Sequence, residues 1–189
     1  MKVLQNDIVQ LIPMDASHID GIWEVCQHEE IWTHMSDYLM DYESVVKYIT
    51  NKVKAQEAQT DFPFVIVDNK TGEIIGSTTL MDISLQHKRV EIGSTWITPS
   101  YWRTAINSNC KFLLLQYAFE ELGLNRVQIK TGHENIRSQK AIERLGATKE
   151  GILRNHMIQK EGTIRHTVMY SFIKEEWPEI KEHFIKNLL

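Results

Sequence analysis

The segment best suited to chemistry is Tyr101-Trp102-Arg103-Thr104-Ala105-Ile106-Asn107-Ser108-Asn109, which joins a strand pattern to a long helix pattern. Amide N–H groups at a helix start have no partner inside the helix and lie at the positive end of its dipole. Such a passage can cradle phosphate, and Arg103 adds a formal charge. The plainer alternative is an ordinary loop in which Asn107 or Ser108 only caps the helix. Neither Gly-x-x-x-x-Gly-Lys-Ser/Thr nor a strand-following Gly-x-Gly-x-x-Gly occurs, which disfavours nucleoside triphosphate and dinucleotide sites. His28 and His34 are six apart, His156 and His166 fall in separate strands, and no His-Glu-x-x-His is present, so no metal is expected. Cys26 and Cys110 are too few for a disulfide framework. Cys110, followed by the apolar run 112–115, reads as a packed thiol rather than a nucleophile.

The elements that must position these residues follow from apolar periodicity. A strand is expected over 3–14, then helix faces at Ile19, Ile22, Trp23 and Cys26 and at Val45, Val46, Ile49 and Val53 within 42–59. A hairpin follows, with strands over 62–67 and 73–81 about the turn residues 68–72. The next strand, 87–98, alternates Val90, Ile92, Ser94 and Trp96 on one face with Glu91, Gly93, Thr95 and Ile97 on the other, and Pro99 ends it. A helix over 107–122 is stopped by Gly123, a strand spans 126–131, and a helix over 135–145 is closed by Gly146. That succession implies a locally parallel sheet in a mixed α/β fold. Strands over 147–159 and 163–173, turning at Lys160-Glu161-Gly162, and an amphipathic tail over 174–188 complete the chain.

A chain of 189 residues without repeats, low-complexity tracts or a linker-like stretch is expected to form one domain over 1–189. Its apolar share of 42% is enough for a sizeable core, and its formal net charge of −4 disfavours direct binding to nucleic acid or anionic lipid. No apolar run approaches the roughly 18 residues that span a bilayer, and the start breaks into polar residues before a signal core could form. A cytoplasmic location is the expectation.

Glu134-Asn135-Ile136-Arg137-Ser138, a helix, Leu145-Gly146 and then Glu150-Gly151-Ile152-Leu153-Arg154 form a specific pattern. Together with the helix over 111–123 and Gly162-Thr163-Ile164-Arg165-His166-Thr167-Val168-Met169-Tyr170-Ser171, it resembles a GCN5-related N-acetyltransferase (GNAT) of the RimJ/RimL branch. The resemblance follows the whole chain in order of elements, Glu30-Ile31-Trp32 included, and is sharpest over 90–171. It implies a single mixed twisted sheet of about seven strands flanked by helices, with a splayed parallel strand pair binding acetyl-CoA. The family's phosphate loop carries two glycines, which fall on Arg103 and Ala105 here, with Trp102 ahead of them. Their loss matters where the backbone needs φ > 0 or close approach, and little where the angles are already helical. A phosphate pairing directly with Arg103 would compensate.

Acetyl transfer from a thioester to an amine requires a neutral amine, a stabilised carbonyl oxygen and a leaving thiolate that can be accommodated. Glu91 is the candidate base, against the alternative of a salt bridge with Lys88 or Arg89. The resemblance implies a bulge between Gly93 and Ile97 that frees amides toward the thioester. It also places Ser138 near the cofactor sulfur as a catalytic candidate and Asn135 on the pantetheine, although either can equally be a helix cap. The cofactor-binding set is then Trp96, Ile97, Thr98, Trp102, Arg103, Thr104, Ala105, Ile106, Asn107, Lys111, Asn135 and Ser138, and the substrate-binding set is Trp32, Tyr38 and Glu91. His34 and His166 stand where the family more often has a tyrosine-like residue and an aspartate.

The expected function is acetyl-CoA-dependent N-acetylation of a primary amine, either a protein N-terminus such as that of a ribosomal protein or a small amine, by direct attack in a ternary complex. The alternative is a non-catalytic acyl-CoA-binding or interaction module. No metal is expected, and the family's habit of pairing suggests a homodimer.

Overall fold

Alternating apolar residues build a sheet of eight strands in the computed structural model, which describes residues 1–159 and 162–189. The strands are β1 (Leu4–Gln5), β2 (Val9–Pro13), β3 (Phe62–Asp68), β4 (Ile74–Ser84), β5 (Arg89–Ile97), β6 (Arg126–Gly132), β7 (Thr148–Ile158) and β8 (Ile164–Ile173). Their spatial order is β1-β2-β3-β4-β5-β6-β8-β7. All neighbours are antiparallel except β5 and β6. The count exceeds the expected seven because the stretch 3–14 is two strands. The Asn6 side-chain oxygen accepts from the amides of Ile8 and Val9 at 3.0 and 3.1 Å, and this turn folds β1 back on β2.

The helices are α1 (Ile19–Cys26), α2 (Glu29–Trp32), α3 (Tyr42–Glu57), α4 (Ile106–Gln116), α5 (Ile136–Arg144) and α6 (Trp177–Asn187). The short α2 was not expected, and the helix expected over 107–122 ends in a π-helical turn at Tyr117–Glu121. Asp41 starts α3 by accepting from the Ser44 amide at 2.7 Å. The reversal expected at Lys160-Glu161-Gly162 involves Lys160 and Glu161, which lie outside the described residues.

Side-chain alternation sends two cores to opposite faces of the sheet. Val90, Ile92, Ile97, Val127, Ile129, Val168 and Tyr170 pack with Leu114 of α4 and Ile142 of α5 on one face. Val65, Val67 and Trp96 pack with Ile22, Trp32, Val45 and Ile49 of α1, α2 and α3 on the other. The expected alternation along β5 therefore fails halfway. Ile97 joins Val90 and Ile92, while Trp96 goes to the opposite core, because one extra residue intervenes.

Arg126 of β6, Ser171 of β8 and Glu150 of β7 tie the three outer strands together. Arg126 reaches both Glu150 oxygens at 2.6 Å and the Ser171 hydroxyl donates to one of them at 2.8 Å. Hydrogen bonds from Arg126 hold the Glu150 carboxyl down at about 2, with burial opposing and Ser171 assisting. A carboxylate depressed in the fold stabilises above its ordinary value and loses that contribution as pH falls toward its folded value. Glu150→Gln should therefore lower the urea midpoint at pH 7, and the gap to wild type should narrow progressively between pH 5 and pH 2. An equal gap at both ends would remove the linkage assigned to this pair.

Candidate active site

The parallel pairing of β5 and β6 covers only Arg89, Val90 and Glu91 against Arg126, Val127 and Gln128, although both strands run on. Beyond Glu91 they separate. The departure begins at a bulge, for on β4 Ser77 faces Trp96 and Thr79 faces Gly93, leaving Ser94 and Thr95 together opposite Thr78. A bulge bends its strand and sharpens the local twist, which carries β5 away from its neighbour. The bulge falls within the expected stretch 93–97, and its positive φ, 46°, belongs to Ser94. Gly76 accommodates the result, since a Cβ there would collide with the Trp96 carbonyl oxygen.

Each bulge hydroxyl is held by a lysine. Lys52 of α3 donates to Ser94 Oγ at 3.1 Å and Thr79 Oγ1 at 3.2 Å. Lys111 of α4 donates to Thr95 Oγ1 at 2.7 Å, and Thr95 Oγ1 lies 2.8 Å from Thr78 Oγ1. Burial pulls both amines below the usual lysine range, Lys111 to about 8. A third amine, that of Lys130, lies 3.1 Å from Glu91 Oε1, while Gln128 Nε2 donates to Oε2 at 3.2 Å. Glu91 is only 2 % exposed. It is ion-paired, but with Lys130 rather than the expected Lys88 or Arg89, since Arg89 pairs with Asp82 at 2.5 Å.

The separated strands admit a cleft of about 1000 Å³ whose lining comes from both faces of the sheet. On the α4 and α5 side stand Arg103, Asn107, Lys111, Asn135, Arg137, Ser138 and Arg144. Glu91 and Lys130 stand on the other side, with Glu30, His34, Met35 and Asp37 around α2. The loop ahead of α4 fits an anion. The amides of Thr104, Ala105 and Asn107 have no backbone partner among the described residues, and Arg144 anchors the helix start through Ser108 Oγ at 3.0 Å. The Arg137 guanidinium lies 4.3 Å from the centre of the Trp102 ring.

The two lost glycines differ in consequence. Arg103 has φ 64°, a left-handed conformation that a side chain occupies at a cost of about 1–2 kcal/mol, whereas Ala105 has φ −70° and ψ −11° and needs no glycine.

Of the expected cofactor residues, Trp96, Ile97, Trp102, Arg103, Thr104, Asn107, Lys111, Asn135 and Ser138 line the cleft. Thr98, Ala105 and Ile106 do not. The Thr98 amide donates to the Ile75 carbonyl, and Ile106 belongs to the core. Asn135 also caps α5, accepting from the Ser138 amide at 3.0 Å. Trp32 and Tyr38 lie outside the cleft lining. Trp32 is buried with its indole N–H donating to the Cys26 carbonyl at 3.0 Å and its ring 5.3 Å from that of Trp96, so its place is in the core. Tyr38 is half exposed. Gln128, Lys130 and Arg165 were missed, although the alternation of β6 and β8 places them on the Glu91 face. Cys110 is fully buried, and burial pushes its thiol up to about 12, in keeping with an inert group. Among the described residues no group of three metal-ligating side chains comes together, and no helix is long and apolar enough to cross a membrane.

Comparison with known proteins matches residues 9–148 to the acetyltransferase (GNAT) domain. The uncharacterized N-acetyltransferase YoaA of Bacillus subtilis is 25% identical over 173 residues, spanning 91% of this chain and 97% of YoaA. YdaF of the same organism, named for a proposed ribosomal N-acetyltransferase activity, is 34% identical over 106 residues, 56% of this chain and 57% of its own. Among solved structures, a GCN5-related N-acetyltransferase from Brucella melitensis superposes with a TM-score of 0.91 at 28% identity, covering 100% of this chain and 86% of that one.

The strained loop residue permits a separation of backbone from charge. Arg103→Gly should melt higher than Arg103→Ala by an amount corresponding to about 1 kcal/mol, since only glycine relaxes the positive φ. Both should bind coenzyme A more weakly than wild type, to a similar degree, in calorimetry. Unchanged affinity in both variants would show that the guanidinium makes no phosphate contact.

Proposed function

The chain belongs to the GNAT acetyltransferase family, and from that footing we propose that it moves the acetyl group of acetyl-CoA to a primary amine by direct attack within a ternary complex. The reading is supported above all by one cleft that joins anion-ready amides and cations on one face of the sheet to the Glu91 carboxylate on the other. Family membership makes the chain an enzyme, so the non-catalytic binding module gives way as an alternative.

Acetyl-CoA supplies an acetyl group already activated as a thioester. Loop 103–107 would grip its diphosphate, with Arg103 as the cation on the loop and Arg144 behind the helix start. Main-chain groups of the bulge at Ser94 and Thr95 would meet the carbonyl oxygen as it gains negative charge during attack. Glu91 would take the proton of the attacking amine, directly or through water, and Lys130 and Gln128 fix the orientation of its carboxylate. Ser138, on the first turn of α5 in the cleft, would contact the departing sulfur, and Asn135 the pantetheine arm.

The acceptor read from the RimJ/RimL likeness is a protein N-terminus, ribosomal in view of the name of YdaF, with a small amine as the other choice. The same reading includes a cytoplasmic location, a homodimer, no metal and no nucleic-acid partner.

Release of coenzyme A thiol on mixing acetyl-CoA with a panel of N-terminal peptides and small amines tests the assignment. Glu91→Gln should lower kcat by about 10²–10⁴ with the KM for acetyl-CoA little changed. Tight binding of acetyl-CoA without thiol release across the panel would overturn it.

A further inference from the structure

Arg165 of β8 stands on the same face of the sheet as Glu91, Gln128 and Lys130, because Val168, Tyr170 and Phe172 of its strand point into the opposite core. It lines the cleft. Its guanidinium lies over the end of β6, with Nε 3.4 Å from where a Cβ of Gly132 would be, so the missing side chain leaves room for it. Nε is buried and has no hydrogen-bond partner among the described residues. Burial works against its charge, and the nearby Glu91 favours it.

Four other cations of the cleft are engaged, and Arg103 stands with the loop before α4 on the opposite face. Lys130 pairs with Glu91, Lys111 with Thr95, Arg144 with Ser108, and Arg137 lies over Trp102. The Arg165 side chain as a whole is half-buried, and its buried Nε–H without an acceptor costs free energy unless a partner of suitable shape arrives. Its planar fork fits the two oxygens of a carboxylate or phosphate. The face it occupies excludes the cofactor's diphosphate as that partner, since the phosphate loop and α4 lie on the opposite side.

We propose that Arg165 binds an anionic oxygen group, carboxylate or phosphate, carried by the amine acceptor. The inference rests on the acetyl-transfer reading and defines the chemical class of the acceptor. The amine end lies at Glu91 and the anion at Arg165, so bare alkylamines lack one of the two anchors.

Wild-type enzyme with saturating acetyl-CoA is assayed on peptide amines that differ in one group: glutamate against glutamine, and phosphoserine against serine. Wild type should favour the charged member of at least one pair by about tenfold or more in kcat/KM. Arg165→Met should bring the ratio near one, while Arg165→Lys should keep part of it. The favoured pair identifies carboxylate or phosphate as the source. Equal rates within both pairs in wild type, or a preference that survives Arg165→Met, overturns the proposal. Melting curves of both variants establish that they are folded.

A binding readout is independent of turnover. With coenzyme A present, the ¹⁵N signal of Arg165 Nε–H should shift saturably on titration with succinate or inorganic phosphate, and its immobility toward both would also overturn the proposal. Saturable shifts without acetylation of any amine would instead sink acetyl transfer and leave the anion site standing.

Discussion

The extra residue in β5 is the constraint on which the site depends. Ser94 and Thr95 share one position opposite Thr78, and this displaces the strand enough to end its pairing with β6 after Glu91. An unpaired stretch in the middle of a sheet exposes backbone groups that ordinarily demand partners, so it needs support from outside the ladder. Lys52 and Lys111 supply that support through the Ser94 and Thr95 hydroxyls. Both amines are buried at a desolvation cost, which the hydrogen bonds offset only while the bulge keeps its shape. The opening is therefore specified by α3 and α4 as much as by β5 itself.

The bulge also explains how one sheet can serve two reactants. A continuous parallel pair would wall the α4 and α5 face off from the α2 face. With β5 and β6 separated, the loop amides of 104–107 and the Glu91 carboxylate open into the same volume from opposite sides. Under the proposed transfer, an amine would approach the thioester from the face opposite the loop before α4, with proximity set by the sheet itself.

Much of this was legible in the sequence where local pattern decides. The helix of Leu115, Ala118 and Phe119, the strand carrying Glu91 and the loop before Asn107 all follow from periodicity and terminators. The phase inversion at Trp96 was not legible, because a bulge depends on the register of β4 and Ser94 carries no glycine to announce its positive φ. Lys130 and Arg165 escaped for a related reason. Their closeness to Glu91 arises from strand pairings made across the sheet, with β8 inserted between β6 and β7. Polar alternation over Gln128, Lys130 and Gly132 was the available signal. Trp32 misled by its type: an aromatic near an expected acceptor site can equally be a core residue, and its indole bond to Cys26 is a tertiary fact.

Charge illustrates the same distinction between chain and fold. A net charge of −4 argues against attraction to an anion, and taken over the whole surface that argument stands. The cleft reverses it locally, for Arg103, Lys111, Lys130, Arg137, Arg144 and Arg165 line it against Glu30, Asp37 and Glu91. Clefts focus the field of the charges that line them, so an acidic protein can still draw a diphosphate into a basic slot. The arrangement is graded along the cleft. On the α4 and α5 face the cations stand beside backbone amides without carboxylates, while on the other face Lys130 is neutralised by Glu91 and Arg165 lies near the same carboxylate. An amine approaching that second face meets Glu91 as well as Arg165, which favours molecules whose own positive and negative groups are separated to match.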